Sequence, residues 1–124
     1  MKLTLDADPT INLIRRYSAR EIVIGERTLN HPCIVSANAL IDQWEFESIQ
    51  QLKIEELTQI LELEPEVILL GTGERQIFPP SEILAWCINR RIALEPMDLG
   101  AACRTFNVLA QEDRKVVGAF VVGR

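Results

Sequence analysis

The sequence is poor in the side chains that bind metals. Its 124 residues include one histidine, His31, and three cysteines, which are Cys33, Cys87 and Cys103. No two cysteines form a C-x-x-C pair, whereas a structural zinc site needs four nitrogen or sulfur ligands in close pairs. We therefore expect no metal site. Because the cysteines are odd in number and widely spaced, they are predicted to be free, buried thiols in a reducing compartment.

The sequence also lacks the residue patterns of common enzymes. A Ser-His-Asp or Cys-His pair would have to use His31, and no serine lies in the context of a nucleophile elbow. The glycines of Gly71-Thr72-Gly73 are followed directly by Glu74, with no third glycine and no Gly-Lys-Ser/Thr. This excludes a dinucleotide fingerprint and a Walker loop. We therefore expect no catalytic residues and no cofactor.

Long apolar runs and dense basic runs are absent as well. Every wholly apolar stretch is far shorter than the ~18–20 residues that span a bilayer. The first twenty residues carry charges where a signal peptide has its apolar centre. We therefore expect a soluble, cytoplasmic protein without a membrane span. The net charge of −5 disfavours nucleic acid and anionic membranes as partners, and no Lys/Arg-rich run offsets it, since the densest basic segments are the pairs Arg15-Arg16 and Arg90-Arg91.

What the sequence does contain predicts one α/β domain over residues 1–124. Its length and its content of 48% hydrophobic and 25% charged residues are typical of a folded domain. Short apolar segments at residues 21–25, 28–31 and 33–35 predict a small antiparallel meander. Residues 41–47 have no clear period and are predicted to be irregular or strand.

The C-terminal half alternates strands and helices. A helix beginning near Lys53 is expected to end at Pro65. Further elements are then predicted at residues 67–70, 81–90, 92–95, 99–111 and 116–122, in the order β-α-β-α-β. The first of these strands is wholly apolar, which is typical of a strand buried on both faces of a parallel sheet. Ser81 and Asp98 are well placed to cap the two helices.

The polar residues after the first two of these strands suggest a crevice. In open α/β sheets, ligands bind outside the carboxyl ends of parallel strands. Arg104 and Asn107 are one helical turn apart, so they are expected to share a face. The candidate site therefore comprises Gly71, Thr72, Gly73, Met97, Asp98, Cys103, Arg104 and Asn107.

Several of these residues also have a purely structural interpretation. The two glycines could simply permit a tight turn at the end of a strand. Asp98 could only cap the following helix, and Arg104 could pair with an acidic neighbour. Cys103 could be a nucleophile whose thiol pKa is lowered by the helix start and by Arg104, but a buried structural cysteine is favoured.

Two motifs carry a resemblance to a known family. These are Leu69-Leu70-Gly71-Thr72-Gly73 and Ala102-Cys103-Arg104-Thr105-Phe106-Asn107, with Glu95-Pro96-Met97-Asp98 between them. Over nearly its whole length the chain resembles a widespread, uncharacterised bacterial and archaeal family. Eukaryotic relatives in that family resemble the mitochondrial NADH dehydrogenase (complex I) alpha-subcomplex assembly factor 3. Pro96 and Asp98 depart from the family's pattern around Met97.

The resemblance implies both a fold and a function. The expected fold has three layers: a mixed central sheet flanked by helices, an N-terminal β-rich layer, and a last strand antiparallel to the others. The expected function is a non-catalytic binding or assembly module with a protein partner, for example in the assembly of a complex I-like membrane complex; a homo-oligomer is compatible with it. The alternative is an enzyme acting on a small molecule or nucleotide at the crevice.

Overall fold

The computed structural model of the chain describes residues 10–124. Residues 1–9 lie outside the described residues. Part of the expectation about a signal peptide rests on them. The strands are β1 (Ile14–Tyr17), β2 (Ile22–Ile24), β3 (Arg27–Leu29), β4 (Cys33–Ser36), β5 (Leu40–Ile41), β6 (Val67–Gly71), β7 (Ala93–Met97) and β8 (Val116–Phe120). The α-helices are α1 (Thr58–Leu61), α2 (Ser81–Asn89) and α3 (Leu99–Gln111), and short 3-10 turns at Ile49–Gln51 and Ile54–Leu57 precede α1.

The central sheet has five strands in the order β5-β4-β8-β6-β7. Strand β6 is parallel to β7 on one side and to β8 on the other, whereas β4 is antiparallel to β8. The α/β class and the mixed sheet are therefore confirmed. The expectation that the last strand is antiparallel to the others was wrong for β6 and β7. The reason is that α2 and α3 each carry the chain back to the same end of the sheet, so the strands that they connect are parallel.

The N-terminal layer is a three-stranded antiparallel sheet in the order β1-β2-β3. It confirms the hairpin between the first two predicted segments, β2 and β3, and Gly25, with a φ of 59°, supplies the turn between them. Strand β1, which pairs with β2, was not among the predicted segments. The third predicted strand, β4, leaves this meander and pairs with β8 in the central sheet. Within the segment predicted to be irregular, only the end of the two-residue strand β5 is regular.

Two apolar clusters hold the layers together, one on each face of the central sheet. Side chains alternate along β6, so that Leu69 packs with α3 and the three-stranded sheet while Leu70 packs with α1 and α2. Because both faces are covered, β6 is buried at all five positions. This explains why its sequence is a continuous apolar run.

The helices agree with the predictions to different degrees. Helix α3 begins and ends where it was predicted, and the Asp98 side chain caps it by accepting a hydrogen bond from the N–H of Ala101. Ser81 was wrongly predicted as the cap of α2, since Pro80 occupies that position without a side-chain hydrogen bond. The predicted helix before Pro65 consists of four residues of 3-10 turn followed by four α-helical residues. Across residues 10–124, no helix is both long and apolar enough to cross a bilayer.

Candidate functional site

The predicted crevice lies where β6 and β7 end side by side. The two strands are parallel and Gly71 is paired with Met97. Helix α3 begins two residues after Met97, and its first turn lies next to the loop that follows β6, where the N–H of Leu99 donates to the carbonyl of Gly73 at 2.7 Å. The fold therefore brings both predicted segments to one edge of the sheet. The side chains of the predicted site residues, however, do not all face this edge.

Gly71 and Gly73 have separate structural roles. A methyl group at Gly71 would lie 3.0 Å from Cβ of Ala102 and 3.2 Å from Cδ1 of Phe120, so the absence of a side chain lets α3 pack closely on β6. Gly73 has a φ of 101°, and a Cβ atom there would have no neighbouring atom within 4 Å, so the role of this glycine is the turn itself.

Thr72 is buried, with 4% of its surface exposed, and its hydrogen bonds shape the loop after β6. Its N–H donates to the carbonyl of Met97 at 2.8 Å. Its hydroxyl donates to the carbonyl of Arg75 at 2.6 Å and accepts from the N–H of Ile77 at 2.9 Å. The hydroxyl therefore has its partners inside the chain.

Replacing Thr72 by valine, which keeps the shape but removes the hydroxyl, should lower the free energy of unfolding by about 1–2 kcal/mol. The loss arises because the N–H of Ile77 and the carbonyl of Arg75 lose their partner. Urea denaturation measures the change. Thr72→Ser, which keeps the hydroxyl, is the matched control and should retain more stability than valine. Equal stability of the valine variant and the parent would contradict this role.

Arg104 and Asn107 do share a face of α3, as predicted, and both bind the first strand. The guanidinium of Arg104 donates to the hydroxyl of Tyr17 at 2.6 Å. The amide of Asn107 makes two bonds with the backbone of Ile14, accepting from its N–H at 2.8 Å and donating to its carbonyl at 2.9 Å. Asn107 therefore docks β1 onto α3, whereas the exposed Arg104 lies at the edge of the crevice.

Cys103 points away from the crevice into the core. It is 1% exposed and lies in the same apolar cluster as Cys33. The pKa of the Cys103 thiol is raised to about 12, mainly by burial and to a smaller extent by neighbouring Cys33, while Arg104 acts in the opposite direction. The three cysteines are free and buried, as predicted. A thiol that is buried and protonated is not a nucleophile, which removes the alternative role for Cys103.

The buried thiols lead to a prediction about reactivity and pH. In the native protein, Ellman's reagent at pH 8 should modify essentially none of the cysteines within minutes, and all three should react in denaturant. Thiols of the unfolded chain ionise near pH ~8.5, so above that pH the unfolded state binds fewer protons than the folded state. The free energy of unfolding should therefore fall as the pH rises from ~8.5 towards 12. Rapid modification of one native cysteine would contradict the buried arrangement.

The surface cleft at this end of the molecule is lined largely by residues that the sequence did not point to. Its volume is about 310 Å³, and of the predicted residues only Gly73 and Asp98 line it. The other lining residues are Tyr17, Ser18, Ala19, Glu74, Leu99 and Gly100. Gly100 matters because a methyl group there would lie 3.1 Å from both the Tyr17 ring and the Arg104 guanidinium. The sequence signal that could have pointed to this cleft is Gly100, a glycine in the first turn of the predicted helix, four residues before Arg104.

Clusters that could hold a metal ion do not occur among residues 10–124, where no three His, Cys, Asp or Glu side chains come together. Buried polar side-chain atoms without a hydrogen-bond partner are also absent from this part of the chain. At the cleft, the Asp98 carboxylate accepts a hydrogen bond from the N–H of Ala101, and the Tyr17 hydroxyl accepts one from Arg104.

Sequence comparison places the chain in a family. Residues 14–121 match the model of a family described as "Protein of unknown function (DUF498/DUF598)". The chain belongs to this family. In the DUF498/DUF598 family, the chain is similar to the zebrafish (Danio rerio) "NADH dehydrogenase (ubiquinone) 1 alpha subcomplex assembly factor 3", with 37% identity over 111 residues that cover 88% of the chain. The match covers 63% of the zebrafish protein, so that relative is considerably longer than the chain.

The chain is also similar to proteins with other names. The chain is 35% identical over 103 residues to the "13 kDa major membrane protein" of Francisella tularensis, which covers 82% of the chain and 84% of that protein. Among solved structures, a Xanthomonas campestris protein studied by NMR has 39% identity and a TM-score of 0.83. That similarity covers 98% of the chain and 93% of the Xanthomonas protein. The family resemblance predicted from the two motifs is confirmed.

Proposed function

We propose that the chain is a non-catalytic binding module that assists the assembly of a membrane or respiratory, complex I-like protein complex by contacting a protein partner. The proposal rests on the contacts of the predicted crevice residues, which lie within the protein itself. Thr72, Asp98 and Asn107 bind the chain's own backbone, and Cys103 is buried with its proton retained. The names of the assembly-factor relatives support the same role.

The side chains of Thr72, Asp98 and Asn107 are bonded to the chain's own backbone, which disfavours catalysis at this site. A general base or nucleophile must reach the atom on which it acts, within hydrogen-bond distance or through one water. The carboxylate of Asp98 caps α3, and the hydroxyl of Thr72 is enclosed by the loop that it shapes. Among the predicted polar residues, Arg104 is fully exposed, whereas Asp98 and Asn107 are partly buried and Thr72 is buried.

Affinity purification from the source cells tests the proposal. The tagged full chain would be expressed at native level, and the membrane fraction would be solubilised in mild detergent before mass spectrometry. We expect subunits of a membrane or respiratory complex, or a second assembly protein, at a molar ratio near one. Recovery of the chain alone from every fraction would count against the proposal. The predicted cytoplasmic location, which the same fractionation examines, stays a prediction.

The alternative function is an enzyme or ligand-binding protein for a small molecule or nucleotide. One observation favours it: a cleft of about 310 Å³ lies beside Arg104 at the carboxyl ends of β6 and β7, and small-molecule sites begin at roughly this size. A ligand library in a thermal-shift assay separates the two functions, because a ligand that binds the native state raises the melting temperature. A shift that Arg104→Ala abolishes would favour the alternative, and no shift across the library would favour the binding module.

A further inference from the structure

Helix α2 carries a row of three large side chains outside the core. The helix is anchored by Ile83 and Cys87, which are buried in the apolar cluster on its face of the central sheet. Glu82, Trp86 and Arg90 follow one another at intervals of four residues, so they form one ridge along the helix. Glu82 and Arg90 are exposed, and Trp86 is partly buried at the edge of the cluster. We call these three residues the α2 ridge.

The positive charge of the α2 ridge is held in a fixed position. Cζ of Arg90 lies 3.6 Å from the centroid of the Trp86 ring, and Nη1 of Arg90 donates to the carbonyl of Trp86 at 3.2 Å. A guanidinium stacked on an aromatic ring keeps the N–H groups along its edge available to a carboxylate. Because the side chain is already ordered, forming a further bond costs it less conformational entropy.

Neither charge of the α2 ridge is neutralised within the part of the chain that the structure describes. The salt bridges of residues 10–124 join Arg27 to Asp42 and Arg114 to Glu66. Glu82, in the first turn of α2, forms no ion pair with any of these residues, and neither does Arg90. An acid and a base therefore remain available at the two ends of the ridge.

The order of the charges makes the α2 ridge complementary to itself. Glu82 and Arg90 each lie four residues from Trp86, which is about 6 Å along the helix axis. A two-fold axis beside Trp86 would place the α2 helices of two copies antiparallel, with Glu82 of each copy level with Arg90 of the other. Both ends of such a contact join an acid to a base, and the two helix dipoles oppose one another favourably.

We propose that the α2 ridge is the contact between two copies of this chain, with Glu82 of each copy paired with Arg90 of the other and the two Trp86 side chains at the centre. The inference goes beyond the proposed function and does not depend on it. A contact through one helix is small, so the dimer is transient, with a Kd on the order of 100 µM.

Sedimentation velocity of the full chain, from about 10 µM to about 1 mM, tests the inference across the Kd expected for a small interface. The sedimentation coefficient of the parent should rise with concentration as dimer forms. Glu82→Arg and Arg90→Glu should each weaken association about tenfold or more, because each variant alone places like charges opposite one another at both ends of the contact. An equimolar mixture of the two variants should associate about as well as the parent, because every pair again joins an acid to a base.

The two variants also separate specific pairing from a general effect of charge. Glu82→Arg makes the chain of net charge −5 less negative, whereas Arg90→Glu makes it more negative. A general effect would therefore strengthen association in one variant and weaken it in the other. Glu112→Arg and Arg16→Glu are the matched controls, because these exposed residues belong to α3 and β1, which pack on the opposite face of the central sheet. Each control should change the Kd less than about twofold.

Recovery of association in the mixture would also show that both variants remain folded. The inference is overturned if the parent stays monomeric over this range, if either single variant associates as well as the parent, or if the mixture associates no better than its components. A protein recovered from cells by a monomeric chain and lost in both variants would assign the α2 ridge to another partner, which also overturns it. Dimerisation that the variants abolish without changing the recovered partner would support the dimer and leave the proposed assembly role unaffected.

Discussion

Replacing Gly118 by alanine is expected to lower the free energy of unfolding by about 2–3 kcal/mol. Gly118 lies in β8, between β4 and β6, where its residue partners are Val35 and Leu69. A methyl group there would overlap Cζ of the Phe120 ring and lie 2.5 Å from its Cε2. Phe120 is completely buried and packs edge-on against Phe106 at a centroid distance of 5.9 Å, so its ring has no free space to enter.

A double-mutant cycle isolates this cause. Phe120→Leu removes the ring, so adding Gly118→Ala to it should cost much less than Gly118→Ala costs in the parent. Denaturant unfolding of the four proteins supplies the free energies. Equal costs in the two backgrounds would show that the ring is not what requires a glycine at this position.

The second large effect is expected at Asn107. Its replacement by alanine should lower the free energy of unfolding by about 2–4 kcal/mol, because the N–H and the carbonyl of Ile14 both lose their partner. The loss should be regional. Hydrogen exchange should accelerate most in β1 and β2, since these strands depend on Asn107 for their contact with α3.

Two controls accompany this variant. Val108→Ala changes the neighbouring residue, which is 53% exposed, and should alter stability by less than about 0.5 kcal/mol. Asn107→Asp retains the acceptor for the N–H of Ile14 but cannot donate to its carbonyl, so it should fall between alanine and the parent. Unchanged protection of β1 in the alanine variant would contradict the docking role.

The C-terminal half of the fold was predictable because its signals are local. The apolar run of β6, the aspartate before α3 and the helical spacing within α3 each depend on neighbouring residues. The partners of β8 were not predictable in this way. Strand order depends on how the α2 and α3 connections cross the sheet, and β4 pairs with β8 across about eighty residues of sequence.

The candidate site was predictable in position but not in composition. The rule that ligands bind at the carboxyl ends of parallel strands led to the edge of the sheet at which the cleft lies. The same rule could not reveal Tyr17, because β1 reaches that edge only through the docking of the N-terminal sheet on α3. Nor could it show that Thr72 and Asn107 are bonded to the backbone, which depends on tertiary contacts.

The residues at the strand ends and those on the surrounding surface are expected to have different roles. The motif residues Gly71, Thr72 and Asn107 build the loop and the interlayer contact, so they are expected to matter mainly for stability. The exposed residues around the cleft, such as Tyr17 and Arg104, are expected to matter for function. This division is testable, because substitutions of the two groups should have separable effects on unfolding and on partner binding.

The most direct test of the central claim is to measure complex assembly in source cells that lack the chain. Native gel electrophoresis of solubilised membranes would quantify the assembled respiratory NADH dehydrogenase and its subassemblies. We expect loss of the full complex and accumulation of subassemblies, with rescue by the intact chain. An unchanged amount of the assembled complex in the deletion strain would contradict the proposed role.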